Sequence, residues 1–212
     1  MARRQVILVN GPPRSGKDTV GEILRRRHGC LVTKFAKQLK EMAHGLHSIV
    51  GGDAKPVRHD YFEKRKDDSC DEFMGATPRQ CYIALSENYL KPLYGEDVMG
   101  EMLLKSLLGG AQWRTAVVTD SGFSDEAMVL LRHFGVDSIA LIRLHRVDCC
   151  FSNDSRGYIH LPGVRSFDIA NNGQLSDLAV EVAKVADTIG VVYEGAESTT
   201  EQAAEEDSSG SE

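Results

Sequence analysis

The sequence predicts an α/β domain with three layers, a mostly parallel sheet flanked by helices, and three observations carry that reading. Short apolar runs of strand length alternate along the chain with segments of helical period. The first run, Gln5 to Val9, shows no polar alternation, as a central parallel strand buried on both faces requires. It leads directly into a glycine turn, "GPPRSGK", and a helical pattern follows.

Taken in order, the elements each have a local cause. From Lys17 to His28, the residues Val20, Ile23 and Leu24 form an apolar stripe that Gly29 stops. "CLVTKF" predicts a second strand, and "AKQLKEMAHGLHSIV" an amphipathic helix ending at Gly51-Gly52. Residues 53–76 are highly charged and lack a period, which predicts an insertion or mobile loop. Thr77-Pro78 supplies an N-cap and a first-turn proline for a helix running through "RQCYIALSENYL". A further helix covers about Asp97 to Leu108, then "TAVVTD" is a strand and "SDEAMVLLRHFG" a capped helix ending at Gly135. "SIALIRL" and "SFDIAN" are strands, and "QLSDLAVEVAKVADTI" is the last helix.

Composition narrows the chemistry. At 212 residues, 42% hydrophobic and 26% charged, the chain is long enough to bury a core and reads as one soluble domain. The net charge of −6 is misleading, because residues 194–212 hold seven acidic groups and no Lys or Arg. Removing those seven from the 31 acids leaves 24 against 25 bases, so the body is near neutral and the end reads as an acidic disordered tail. Five cysteines without CxxC spacing argue against a zinc site or a disulfide framework. With neither a signal-peptide core nor a run of membrane-spanning length, the expected home is the cytoplasm, a host's cytoplasm if the chain is phage-encoded.

The spacing Gly11-x-x-x-x-Gly16-Lys17 is a Walker A loop, set after a buried strand and before a helix. Backbone N–H groups of such a turn and the positive end of the helix dipole hold phosphate, with the lysine reaching the terminal oxygens. Gly11, Arg14, Ser15, Gly16, Lys17, Asp18 and Thr19 are therefore the candidate nucleotide-binding residues. The usual hydroxyl after the lysine is replaced by Asp18, with Thr19 next. Both are candidates for holding Mg²⁺, and Asp18 for taking a proton.

With "NGPPRSGKDT", "FAKQLKEMA", "TPRQ", "VVTDSGFSDEA" and "IANNGQLSDL" in this order, the chain resembles the bacteriophage deoxynucleoside monophosphate kinases among the P-loop kinases. The likeness spans Val6 to Leu178 and implies a P-loop nucleotide-kinase fold over residues 1–193, with a lid over about 144–160, and the use of ATP and Mg²⁺. Members that phosphorylate free nucleotides tend to carry an arginine two residues after the aspartate ending the third strand; here that residue is Gly122. "SENYLKPLYG" and "DSRGY" are similar to a branch that phosphorylates 5-hydroxymethyluracil within DNA.

An acceptor phosphate needs arginines and little general base, whereas an alcohol must lose its proton and benefits from a carboxylate. Asp120, at the end of a strand, is the candidate base beside Asp18. Lys17, Arg143, Arg146 and Arg156 are the candidates for neutralising transferring charge, the three arginines from the lid region. Lys37, Lys40 and Arg79 follow from the resemblance as acceptor contacts. Phe35, Tyr61, Phe62 and Tyr158 are candidate walls for an extruded base, and Arg58, Lys64, Arg65 and Lys66 candidate backbone contacts. Packing and solvated charge are the plainer roles for these two sets. The expected partners are ATP and either DNA carrying a modified base or a free deoxynucleotide, with no membrane and a homodimer left open.

Overall fold

The computed structural model describes residues 3–50, 59–110, 112–152 and 154–191. Gly51-Gly52, Arg58 and the acidic stretch 194–212 lie outside them. The chain divides into two compact units, one comprising Met1–Thr33, Gln112–Gly122 and Phe134–Glu212, the other Lys34–Ala111 and Phe123–His133.

The first unit holds the sheet. Its strands are β1 (Gln5–Asn10), β2 (Leu31–Thr33), β3 (Thr115–Val118), β4 (Ile139–His145) and β5 (Arg165–Ala170), in the order β2-β3-β1-β4-β5. Every ladder is parallel, with β1 between β3 and β4. Val6 to Val9 are at most 1% exposed, which is why this strand reads as an unbroken apolar run. Beyond Thr33 the chain turns, Lys37 N–H donating to the Lys34 carbonyl, so β2 is shorter than "CLVTKF" predicts.

Helix α1 (Lys17–His28) and the C-terminal helix Leu175–Ile189 bury Val20, Leu24, Leu178, Val182, Val185, Ala186 and Ile189 in one core with Ile7, Val9, Val117, Ile142 and Ile169. Gly29 ends α1 in the left-handed region, donating to the Arg25 carbonyl at 3.0 Å. The parallel sheet, the Walker A loop at the end of its central strand and the flanking helices make this an α/β nucleotide-kinase fold.

The second unit is helical. It comprises α2 (Lys37–Val50), α3 (His59–Lys64), a 3₁₀ turn (Asp71–Phe73), α4 (Pro78–Leu85), α5 (Lys91–Tyr94), α6 (Val98–Gly109) and most of α7 (Ser124–Phe134); the C-terminal helix is then α8. Thr77 and Gln80 close a reciprocal capping box at the start of α4, with Pro78 in its first turn, as the sequence predicts. The predicted single helix through Leu90 instead widens into a π turn at Ser86–Leu90, where Lys91 N–H reaches the Ser86 carbonyl.

The charged segment also differs from a featureless loop in its described part. Phe62 and Phe73 are 4% and 2% exposed, stack edge to face at 5.0 Å, and gather His44 and Tyr82 around them. Two rings separated by turns leave no period in the sequence, yet they give α3 and the 3₁₀ turn an apolar anchor. At Gly100 a side chain would meet the Glu126 carbonyl at 2.5 Å, so glycine sets the close approach of α6 to α7.

Candidate functional site

The loop between β1 and α1 is built from backbone. Gly16 caps α1 with φ +104 and no side-chain cap, and Arg14 is also left-handed at φ +66. The first-turn N–H groups of a helix have no carbonyl partner within it, so this end favours an anion. Gly16 is doubly constrained: a side chain there would also meet the amide nitrogen of Asn171 at 2.5 Å. That amide donates to the Ser15 carbonyl at 2.8 Å, so the end of β5 braces the loop from below.

Lys17 folds back over the loop, its Nζ donating to the carbonyls of Gly11 and Pro12 at 2.7 Å each. Burial pushes its pKa down, and the Arg156 charge pushes the same way; Asp18, Asp154 and Asp120 oppose them. One cation and three carboxylates thus share the lysine's electrostatic surroundings. Asp18 is exposed and accepts from the Thr119 hydroxyl at 2.8 Å, which orients its carboxylate from the end of β3. Asp120 follows, half-buried.

The segment around Arg156 is fastened to the same strand ends. Asn10, the last residue of β1 and fully buried, donates through Nδ2 to the carbonyls of Ser121 at 2.7 Å and Gly157 at 2.9 Å. Its Oδ1 accepts from Ile159 N–H at 3.2 Å. Arg156 lies between these attachments, its side chain across Gly122, and Asp154 holds its guanidinium. Sequence reasoning counts Gly122 as the loss of an arginine beside Asp120; the structure lays the stem of Arg156 across that glycine.

The other two arginines predicted for the lid stand differently. Arg143 is a residue of β4, in direct register with Asp168 of β5, and donates to both its oxygens at 3.0 and 2.7 Å. His145 bonds the same carboxylate at 2.6 Å, and Arg143 followed by His145 keeps the Asp168 carboxyl below its usual range. Arg146 is exposed and donates to the Arg14 carbonyl in the loop at 3.5 Å. Tyr158 is 44% exposed, stacks on His145 at 4.7 Å and donates to the Leu144 carbonyl.

The remaining predicted residues belong to the helical unit. Phe35 is 2% exposed and Phe62 4%, so both rings are committed to the core rather than offered as walls for a base. Lys40 pairs with Glu63 and lies 5.7 Å from the Tyr82 ring; Arg79 pairs with Asp67; Lys37 is exposed. Arg65 is engaged with Tyr61 and Asp68, while Lys64 and Lys66 are exposed.

Three residues of the site escaped the sequence reading. Asn10 leaves one signal, a lone polar residue closing an apolar run. Asp154 leaves another, since an aspartate whose side chain accepts the N–H two residues on is a common turn device. Asn171 leaves no local signal. Among the described residues no group of three His, Cys, Asp or Glu converges as a metal site, and no helix is long and apolar enough to cross a membrane. Asp18 and Thr19 beside a phosphate loop fit Mg²⁺ by chemistry, because that ion uses one or two protein oxygens together with phosphate and water.

No protein-family model matches the chain, and no curated protein matches it in sequence. Solved structures similar to it include an unliganded sugar kinase from Janibacter sp. HTCC2649, at 11% identity over 89% of this chain and 95% of that one, with a TM-score of 0.42. A gluconokinase from Sinorhizobium meliloti 1021 is 15% identical over 90% and 98%, with a TM-score of 0.40. Shikimate kinase from Bacteroides thetaiotaomicron is 13% identical over 89% and 81%, with a TM-score of 0.33. Similarities of this degree carry no inference about chemistry.

Proposed function

We propose that the protein is an ATP-dependent kinase whose acceptor is a neutral hydroxyl. The observation that carries this reading is Asp120, half-buried just past β3, whose carboxylate acts on Lys17. An alcohol must lose its proton as the new bond forms, which a carboxylate at this place serves, whereas a phosphate acceptor has little need of one. The resemblance read from "SENYLKPLYG" and "DSRGY" makes the hydroxymethyl group of 5-hydroxymethyluracil in DNA the first acceptor to test.

In this mechanism the backbone of Gly11 to Gly16 and the start of α1 hold the phosphates of ATP. Lys17 exchanges the Gly11 and Pro12 carbonyls for phosphate oxygens. Asp18 and Thr19 would hold Mg²⁺, which would supply charge neutralisation when bound. Asp120 accepts the proton of the acceptor hydroxyl as its oxygen bonds to the γ-phosphorus. The bond from that phosphorus to the β–γ bridging oxygen breaks, and ADP leaves with the electron pair. Arg156 and Arg146 offset the charge that spreads over the phosphoryl oxygens.

A second reading has its own support. Arg156 lies across Gly122, two residues past Asp120, and is the kind of group a deoxynucleoside monophosphate acceptor needs. Radiolabelled ATP with Mg²⁺ separates the two. Label on DNA carrying 5-hydroxymethyluracil, with none on unmodified DNA, is the expected result. Diphosphates formed from free deoxynucleoside monophosphates would establish the second reading. ATP binding with no transfer to any acceptor would leave a nucleotide-dependent switch and overturn both.

A further inference from the structure

We infer that Asp154 is a positioning residue that seats Arg156 across Gly122, and that the missing side chain at Gly122 admits the arginine to the corner it shares with Lys17. The inference deepens the kinase reading and rests on it for the ligand.

Space is the first ground. A side-chain carbon built on Gly122 would lie 2.4 Å from Cδ, 2.6 Å from Cγ and 2.9 Å from Cβ of Arg156. The whole stem of the arginine runs over this one residue, so glycine is required there by contact and not by backbone conformation.

The second ground is how fully one carboxylate fixes the arginine. Asp154 Oδ1 accepts from the backbone N–H of Arg156 at 3.0 Å and from its Nε at 2.7 Å, while Oδ2 accepts from Nη2. A guanidinium held along one edge, with its own backbone tied to the same acid, loses rotation about the whole side chain. The two side chains are 15% and 30% exposed, well short of an open surface pair. Arg156, held by Asp154, in turn keeps the Asp154 carboxyl below its ordinary range.

The third ground is the backbone on either side. The Gly157 carbonyl and Ile159 N–H are both bound by the Asn10 amide, which also binds the Ser121 carbonyl just before Gly122. The limb carrying Arg156 is therefore fastened to the strand end it crosses. Arg156 is thereby held as a second cation close enough to Lys17 for its charge to act on that lysine.

Calorimetry with Mg-ATP and Mg-ADP, alongside the Arg156 Nε–H signal in nitrogen-15 NMR of the free protein, tests this. Wild type should show a protected Nε–H, and Asp154→Ala should lose it. Asp154→Ala and Gly122→Ala should each weaken ATP by about tenfold and ADP by less than about twofold, because a charge-assisted contact is lost only at the terminal phosphate. The double variant should fall no further than the worse single one, since both act through Arg156. If Gly122→Ala does not fold, the isosteric Asp154→Asn takes its place, with a smaller loss of ATP affinity in the same direction. Retention of the Nε–H signal and of ATP affinity in Asp154→Ala overturns the inference, as does full additivity of the two substitutions. Should wild type bind neither nucleotide, the kinase reading fails, and the Nε–H signal decides the seat alone.

Discussion

The loop before α1 and the corner around Arg156 both converge on Lys17, yet they are specified in opposite ways. Residues 11–19 form their cradle from one continuous stretch, with glycines where the backbone needs them and a helix start immediately behind. The corner is assembled from Asn10, Ser121, Gly122, Asp154, Arg156, Gly157 and Ile159, partners as much as 149 positions apart. A contiguous site survives as a motif. A site made of distant single residues leaves only isolated oddities, such as an asparagine at the end of an apolar strand.

Lys17→Ala probes the contiguous side and should have the largest effect. It removes the cation that offsets the charge of the transferring group, so turnover should fall by at least about 10³-fold. Because burial already disfavours the lysine's charge, the thermal midpoint should stay unchanged or rise. A steady-state assay beside a melting curve checks both. Asp120→Asn comes next: with a hydroxyl acceptor it should cost about 10²- to 10⁴-fold in kcat, and with a phosphate acceptor far less. Unaltered kcat would remove Asp120 as the base.

Asn10→Ala tests the dispersed side. It strands the Ser121 and Gly157 carbonyls and Ile159 N–H around a fully buried position. Chemical denaturation should show a loss of about 2–4 kcal/mol, larger than a single exposed hydrogen bond gives. A loss under about 0.5 kcal/mol would mean that the corner holds itself without the amide.

The smallest effect expected is on acid stability. The folded Asp154 carboxyl titrates below its unfolded value, so its stabilisation is complete above the ordinary aspartate range. As pH falls the unfolded chain takes up the proton first, and the contribution is gone once pH drops past the folded value. Wild type should thus melt about 2–4 °C above Asp154→Asn near neutral pH, with the gap closing in acid. A gap that is constant with pH would show that the carboxylate's charge is not what matters.

The strands and most helices were legible because their cause is local. Val6 to Val9 declare a central strand by composition, and Thr77-Pro78 with Gln80 declares a helix start by capping chemistry. The π turn at Ser86–Leu90 was not, since one extra residue per turn alters no propensity. Phe73 was hidden for another reason, being a buried ring in a charged and aperiodic stretch, whereas packing is the plainer role the sequence gives Phe62. At the site, Lys17 and its loop could be read directly. Arg143 was read as a lid residue, but strand register pairs it with Asp168, and pairing between neighbours in a sheet cannot be seen along one chain.

The arc from Val147 to Gly157 is pinned at both feet, Val147 N–H to the Asn172 side chain at 2.8 Å and Gly157 to Asn10. Its crown, with Cys149 and the exposed Cys150, lies outside either attachment. The exposed Cys150 is therefore a natural place for a thiol-directed tag or fluorophore, since Phe151, which packs on Tyr158 and accepts from Asp154 N–H, is left as it is.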